Sequence, residues 1–161
     1  MHRLVLAACL ATAFAAPTVA AAQENEGRRL AELAFSGLDT ADRGYIDMGE
    51  FSNFGNDVFA SMDSDENGSL SIGEFMSWDY GMSEIAEELG RVEAYETALR
   101  VVFAFWDRDG DGNISRTEHR KSLYSDFQRA DTDNDALLTQ EEFTSGFSVM
   151  VALRAALDPN L

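Results

Sequence analysis

Apolar and polar positions follow a block pattern that occurs four times along the chain. In each block an aromatic residue stands four positions before an acidic stretch of twelve residues, and an aliphatic residue fills the eighth position of that stretch. The aromatic residues are Phe35, Phe59, Phe103 and Phe127, and the aliphatic residues are Ile46, Leu70, Ile114 and Leu138. Apolar residues at helical spacing on both sides of a polar loop indicate helix–loop–helix units. The pattern predicts an all-α fold of four such units.

The spacing of the acidic stretches predicts how the units are organised. They begin at residues 39, 63, 107 and 131, in steps of 24, 44 and 24 residues. The equal outer steps indicate a duplicated pair of units, so we expect two lobes, over residues 23–80 and 105–161. Residues 81–104 between them have the periodicity of an amphipathic helix that begins near Ser83, and two glycines should weaken or bend it.

The segment between the two stretches of a pair leaves two arrangements open. Twelve residues separate Glu50 from Asp63, and twelve separate Glu118 from Asp131, too few for two full helices and a turn. Either two very short helices meet at a kink, or one helix of about 18 Å serves both units and keeps consecutive loops apart. We expect the first loop to pair with the second and the third with the fourth, with pairing of the second and third as the alternative.

The third acidic stretch, residues 107–118, carries oxygen-bearing residues at fixed positions. They fall at positions 1, 3, 5, 9 and 12, and position 6 is glycine, which is the ligand spacing of a loop that wraps Ca²⁺. Such a loop adds a backbone carbonyl at position 7 and a bidentate glutamate at position 12. The predicted ligands are Asp107, Asp109, Asp111, Asn113 through its carbonyl, Ser115 and Glu118.

Two further stretches have the same ligand pattern. The second is complete, and its predicted ligands are Asp63, Asp65, Asn67, Ser69 through its carbonyl, Ser71 and Glu74. The fourth offers Asp131, Asp133, Asp135, Leu137 through its carbonyl, Thr139 and Glu142. Position 6 of the fourth stretch is Ala136 instead of glycine, and a Cβ in a left-handed conformation costs on the order of 1 kcal/mol. We therefore expect the fourth loop to bind, but more weakly.

The first stretch, residues 39–50, departs from the pattern. It keeps Asp39, Gly44, Asp47 and Glu50 but has Ala41 at position 3 and Arg43 at position 5. A cationic side chain that faces a cation site should leave that site empty. The sequence predicts three working calcium loops and one degenerate loop, with affinity decreasing from the third loop to the second and then to the fourth.

The loops and their flanking aromatic residues resemble the EF-hand superfamily over most of residues 35–150. In its paired hands the chain is similar to exported bacterial calmodulin-like calcium-binding proteins. The resemblance implies a Ca²⁺-dependent sensor that opens an apolar groove for an amphipathic helix or another protein partner. The alternatives are a calcium buffer, a fold stabilised by metal, and an adhesion module resembling dockerin, although dockerins have two loops. The methionine and aromatic content exceeds what a buffer requires, which favours the sensor.

Charge and composition exclude several classes of function. With 29 acidic against 12 basic residues, the formal net charge is −17. Such a chain repels nucleic-acid phosphates and anionic membranes, so we expect neither as a partner. Without residues 1–22, His119 is the only histidine and no cysteine remains. This excludes thiol catalysis and zinc sites built from several histidines or from cysteines. We expect no enzymatic activity.

Residues 1–22 have the features of a secretory signal peptide. A short positive start precedes an apolar run too short to span a bilayer, and Ala20–Ala22 provides a cleavage site before Gln23. We expect the protein to be exported, either to a periplasm or out of the cell. Residues 6–9 also spell a lipobox, but only eight residues precede Cys9 and the apolar run continues beyond it, so cleavage after Ala22 is the preferred prediction.

Overall fold

The structure is a computed structural model that describes residues 19–78 and 80–158. This part of the chain is mostly helical, as predicted, with four three-residue strands. The elements are α1 (Val19–Leu38), β1 (Tyr45–Asp47), α2 (Met48–Met62), β2 (Ser69–Ser71), α3 (Ile72–Ser77), α4 (Ser83–Glu88), α5 (Val92–Trp106), β3 (Asn113–Ser115), α6 (Arg116–Ala130), β4 (Leu137–Thr139), α7 (Gln140–Gly146) and α8 (Ser148–Leu157). Among the described residues, no helix is both long and apolar enough to cross a membrane.

The predicted signal peptide can be followed only at its end. Residues 1–18 lie outside the described residues, and α1 begins at Val19. The predicted cleavage site after Ala22 therefore falls in the first turn of α1. Cleavage there stays a prediction.

Each acidic loop carries the start signal of the helix that follows it. The side chain at position 9 accepts a hydrogen bond from the backbone N–H of the glutamate at position 12, and that glutamate bonds back to the N–H of position 9. These capping boxes pair Asp47 with Glu50, Ser71 with Glu74, Ser115 with Glu118, and Thr139 with Glu142. The same glutamate that the calcium pattern requires thus also fixes the first turn of a helix.

One continuous helix serves both hands in each half of the chain. Helix α2 joins loop 1 (residues 39–50) to loop 2 (residues 63–74), and α6 joins loop 3 (residues 107–118) to loop 4 (residues 131–142). The two helices approach closely at Gly55, where a Cβ would lie 2.3 Å from Leu123 Cδ1. Gly55 therefore permits helix packing and does not kink α2.

The loops pair across the two halves of the chain. Strand β1 pairs with β4, and β2 pairs with β3, both antiparallel. The predicted pairing of loop 1 with loop 2 and of loop 3 with loop 4 is therefore wrong, and the alternative pairing of loops 2 and 3 is correct. The physical reason is the continuous helix, because α2 and α6 each hold two consecutive loops at opposite ends.

The predicted two-lobe arrangement is not confirmed. Buried apolar residues from both halves form one cluster, which includes Phe51, Phe75, Phe103 and Phe143. The helix predicted from Ser83 is interrupted between α4 and α5, where Gly90 has φ +63°. Helix α5 then packs against α8 and α3, so it contributes to the common core.

Candidate metal sites

Carboxylate oxygens converge in loops 2, 3 and 4. In each loop, one oxygen from each of three acidic residues lies within 4.8 Å of the other two. The groups are Asp63, Asp65 and Glu74; Asp107, Asp109 and Glu118; and Asp131, Asp133 and Glu142. These are positions 1, 3 and 12 of the three predicted ligand sets. Hard oxygen donors in this number and arrangement suit Ca²⁺.

The other predicted ligands line the same loops without joining these groups. The side chains at position 5, Asn67, Asp111 and Asp135, each accept a hydrogen bond of 2.8 Å from the backbone N–H two residues later. The residues at position 7, Ser69, Asn113 and Leu137, each begin a strand. The hydroxyls at position 9, Ser71, Ser115 and Thr139, donate to the glutamate of position 12. Their roles as ligands stay predictions.

The glutamate at position 12 closes each loop by reaching back to its start. Its Oε1 accepts from the backbone N–H of position 2, at 2.9 Å for Glu74, 2.8 Å for Glu118 and 3.0 Å for Glu142. Hydrogen bonds from Ser71 lower the pKa of Glu74 to about 2, and those from Ser115 lower the pKa of Glu118 to about 2. Burial raises the pKa of Glu142, but hydrogen bonds from Thr139 and Thr132 outweigh it and leave a pKa of about 2. All three carboxylates are therefore ionised at neutral pH, as metal ligands must be.

Loop 2 contains a buried carboxylate oxygen without a partner. The Asp63 side chain is 2% exposed, and its Oδ2 accepts from the Gly68 N–H at 3.0 Å and from Arg116 at 3.2 Å. Its Oδ1 is buried and has no hydrogen-bond partner among the described residues. A buried anionic oxygen without a partner is costly. A cation held by Asp63, Asp65 and Glu74 would supply the missing partner, so the residues present fit a bound calcium ion.

A family model described as EF hand matches residues 99–121. The chain contains an EF hand. The matched segment covers the second half of α5, all of loop 3 and the first residues of α6, so it includes all six predicted ligands of that loop. No curated protein matches the chain significantly. Loops 2 and 4 share the ligand spacing and the loop geometry of this hand, and the four helix–loop–helix units are numbered EF hands 1 to 4 along the chain.

EF hand 1 holds a cationic side chain of its own. The guanidinium of Arg43 donates to Asp47 at 3.0 Å and also to Glu50. The hydrogen bond to Asp47 is the main cause that raises the pKa of Arg43 further above its ordinary value. Asp39 accepts from the backbone N–H groups of Arg43 and Gly44. Among the described residues, no group of three convergent carboxylates occurs in this loop.

Position 6 requires a left-handed backbone in all four EF hands. The φ angle is +80° at Gly44, +83° at Gly68, +88° at Gly112 and +66° at Ala136. Ala136 is thus a side-chain-bearing residue in the conformation that favours glycine. The loop of EF hand 4 nevertheless closes like the others, since the Ala136 N–H bonds to Asp131 Oδ2 at 3.0 Å.

Sequence reasoning missed one contact between EF hands 2 and 3. Arg116, at position 10 of loop 3, forms an ion pair of 3.2 Å with Asp63, at position 1 of loop 2. The guanidinium carbon also lies 4.6 Å from the centre of the Phe59 ring. The two partners lie 53 positions apart in the chain, so only knowledge of the β2–β3 pairing could have revealed the contact.

His119 is a buried packing residue. It follows Glu118 directly and is 3% exposed. Its ring centre lies 5.0 Å from that of Phe59 and 5.4 Å from that of Trp106, both edge-on. Burial, with a smaller effect of the charge of Arg116, lowers the pKa of His119 to about 4.

Proposed function

We propose that the protein binds calcium in EF hands 2, 3 and 4 and acts as a calcium-dependent sensor for a protein partner. The observation that carries this proposal is an apolar cavity of about 130 Å³. Its wall includes Phe75 and His119, which directly follow the loop-closing glutamates Glu74 and Glu118. The predicted ligands and the apolar surface are therefore adjacent along the chain.

The cavity lies between α2 and α6, which each join two loops, and α5. Helix α2 contributes Phe51 and Met62, α5 contributes Trp106, and α6 contributes Leu123. A buried apolar surface of this kind suits the apolar face of an amphipathic helix once the walls separate. Flexible Met and large aromatic side chains adapt to varied partners.

A change at the loops would reach this cavity through rigid helices. A bound calcium ion supplies two positive charges for the converged carboxylates. Glu74 stands in the first turn of α3 and Glu118 in the first turn of α6, so a shift of these residues on metal binding would shift the start of each helix. Phe75 and His119 would then move with the helices and alter the cavity wall.

A calcium titration of the purified protein tests this proposal. Trp78 and Trp106 both line the cavity, so their emission should change saturably with calcium, together with a rise in the fluorescence of an apolar dye. Mg²⁺ serves as the ion control, and a Glu74→Gln, Glu118→Gln, Glu142→Gln variant serves as the protein control. Saturable binding with constant or falling dye fluorescence would contradict the sensor role. No binding at all would overturn the calcium assignment.

A calcium buffer, or a fold stabilised by metal, is the second candidate function. It is favoured by the crowding of three carboxylates in each of three loops and by the unpartnered oxygen of Asp63. Like charges at this separation repel until a divalent ion neutralises them. Under this alternative, calcium raises the melting temperature while dye binding falls.

We also propose that the protein is exported, on the pattern of residues 1–22 alone. Cleavage after Ala22 would remove the first four residues of α1 and leave all four EF hands intact. An outer compartment would expose the hands to steady calcium. Mass spectrometry of the protein recovered from an expressing cell tests this, because a chain that still begins at Met1 would contradict it.

A further inference from the structure

We propose that Arg43 is a built-in cation that replaces calcium in EF hand 1 and holds the strand facing loop 4 in place at every calcium concentration. The effect on loop 4 rests on the proposed calcium binding there. The state of EF hand 1 itself does not, because it concerns contacts made without an ion.

The guanidinium of Arg43 binds two carboxylates in the second half of loop 1, at positions where the other hands have predicted ligands. Arg43 stands at position 5, where the three other hands have oxygen-bearing side chains. It donates to Asp47 at position 9 and to Glu50 at position 12, and its guanidinium carbon lies 4.5 Å from the centre of the Tyr45 ring. One planar cation with several N–H donors can contact all three.

The carboxylates at positions 1 and 12 of loop 1 have partners without an ion. Both oxygens of Asp39 accept backbone N–H groups, at 2.9 and 2.7 Å. The Oε1 of Glu50 accepts from the Thr40 hydroxyl at 3.3 Å, and Arg43 pairs with its Oε2. This contrasts with loop 2, where one oxygen of Asp63 is buried without a partner.

The residues that Arg43 contacts lie opposite the predicted ligands of loop 4. In the β1–β4 pair, Tyr45 faces Thr139 and Asp47 faces Leu137. Thr139 is the predicted ligand at position 9, and Leu137 is the predicted carbonyl ligand at position 7. By fixing Tyr45 and Asp47, Arg43 fixes the strand against which these ligands are aligned. Loop 4 gains most from such support, because Ala136 strains its turn.

The experiment compares Arg43→Gln with Arg100→Gln. Arg100 pairs with Glu96 on the surface of α5, so this control removes the same charge far from loop 1. Calcium affinity is measured in a Glu74→Gln, Glu118→Gln background that leaves loop 4 as the predicted site. Hydrogen exchange of the Ile46 and Leu138 amides is measured in chelator, where no ion contributes.

We expect Arg43→Gln to weaken calcium binding at loop 4 by at least about fivefold, a typical coupling between sites. We also expect it to reduce protection of the Ile46 and Leu138 amides in chelator, whereas Arg100→Gln changes neither. Arg43→Lys keeps the charge but lacks the planar guanidinium, so its affinity at loop 4 and its amide protection should lie between those of the wild type and Arg43→Gln. If Arg43→Gln adds one bound calcium per chain and leaves loop 4 unchanged, Arg43 merely blocks a site and the proposal is overturned. If no variant binds calcium, the proposed function fails. Independently of calcium binding, unchanged amide protection in Arg43→Gln would refute the role of Arg43 as a built-in cation.

Discussion

Replacing Arg116 by glutamine tests how EF hands 2 and 3 influence each other. Arg116 lies at position 10 of loop 3 and is the first residue of α6, yet it donates to Asp63 of loop 2 at 3.2 Å. Two effects on calcium binding in loop 2 compete. The positive charge repels an ion at Asp63, while the hydrogen bond helps to orient a ligand.

The distances decide which effect is larger. A Ca–O bond is about 2.4 Å long, so the Arg116 nitrogen, 3.2 Å from Asp63 Oδ2, lies at most about 5.6 Å from an ion on that oxygen and at most about 8 Å from an ion on Oδ1. A single and a double positive charge at these distances repel by about 1 to 1.5 kcal/mol in the dielectric of water. The Arg116 side chain is 58% exposed, so salt screening reduces the repulsion to about 0.4 to 0.8 kcal/mol. A surface ion pair contributes about 0.5 kcal/mol, and the Gly68 N–H already orients the same Asp63 oxygen at 3.0 Å.

Because the Gly68 N–H already orients Asp63, repulsion is the larger effect, and we expect Arg116→Gln to tighten calcium binding at loop 2 by about two- to threefold. The assay is calorimetric titration in a Glu118→Gln, Glu142→Gln background, which leaves loop 2 as the predicted site. Arg100→Gln again removes one positive charge at a remote surface. When the titration is repeated in about 0.5 M salt, the difference in calcium affinity between the two variants should decrease because salt screens the repulsion.

Weaker binding in Arg116→Gln would refute this reasoning, because it would mean that orientation of Asp63 outweighs repulsion. An equal gain in Arg100→Gln would refute it in another way. The effect would then belong to the total charge of the protein and not to the contact with Asp63.

Three further predictions concern the other loops and the core. Ala136→Gly should increase the calcium affinity of loop 4 by up to about fivefold, because a φ of +66° at this position costs alanine about 1 kcal/mol. An unchanged affinity in calorimetry would mean that the strain is the same with and without the ion. Single Glu118→Gln, Glu74→Gln and Glu142→Gln variants should each lose one site, with the largest loss of affinity in the first and the smallest in the last; any other order in competition with a fluorescent chelator would contradict the ranking of the loops. Burial lowers the pKa of His119 from 6.5 to about 4, so the folded protein binds a proton less readily than the unfolded chain. The free energy of unfolding should therefore be highest above about pH 6.5 and fall as the pH decreases toward 4. The loss of unfolding free energy should reach about 2 kcal/mol at pH 5. Urea unfolding should show this loss in the wild type but not in His119→Phe, a variant that has the residue type of Phe51, Phe75 and Phe143 at this position. Parallel pH profiles of the two proteins would refute the prediction.

The parts of the structure that the sequence predicts correctly are those encoded within a few residues. The ligand spacing places three carboxylates together in each of loops 2, 3 and 4, and the glutamate of each group also forms the capping box that starts α3, α6 or α7. Position 6 adopts a positive φ even where it is Ala136. Local hydrogen bonds and backbone sterics determine these features, so a single sequence suffices to predict them.

Pairing of the loops depends on contacts between distant parts of the chain. Twelve residues between two loops are compatible with a kink or with a continuous helix. In the structure α2 is continuous, and its Gly55 allows close contact with Leu123 of α6. That contact requires the two halves to pack on each other, which periodicity within one half cannot reveal. The Arg116–Asp63 ion pair was missed for the same reason.

The four loops are connected in a closed ring, and this limits how independent the sites can be. Helix α2 joins loop 1 to loop 2, β2–β3 pairing joins loop 2 to loop 3, α6 joins loop 3 to loop 4, and β1–β4 pairing joins loop 4 back to loop 1. Each loop thus has one neighbour through a helix and one through a strand pair. If Arg43 takes the place of an ion in loop 1, as we propose, one of the four members stays in the same state while calcium varies. The ring then has a fixed point beside loops 2 and 4, and we expect loop 3, opposite loop 1 in the ring, to move most with calcium.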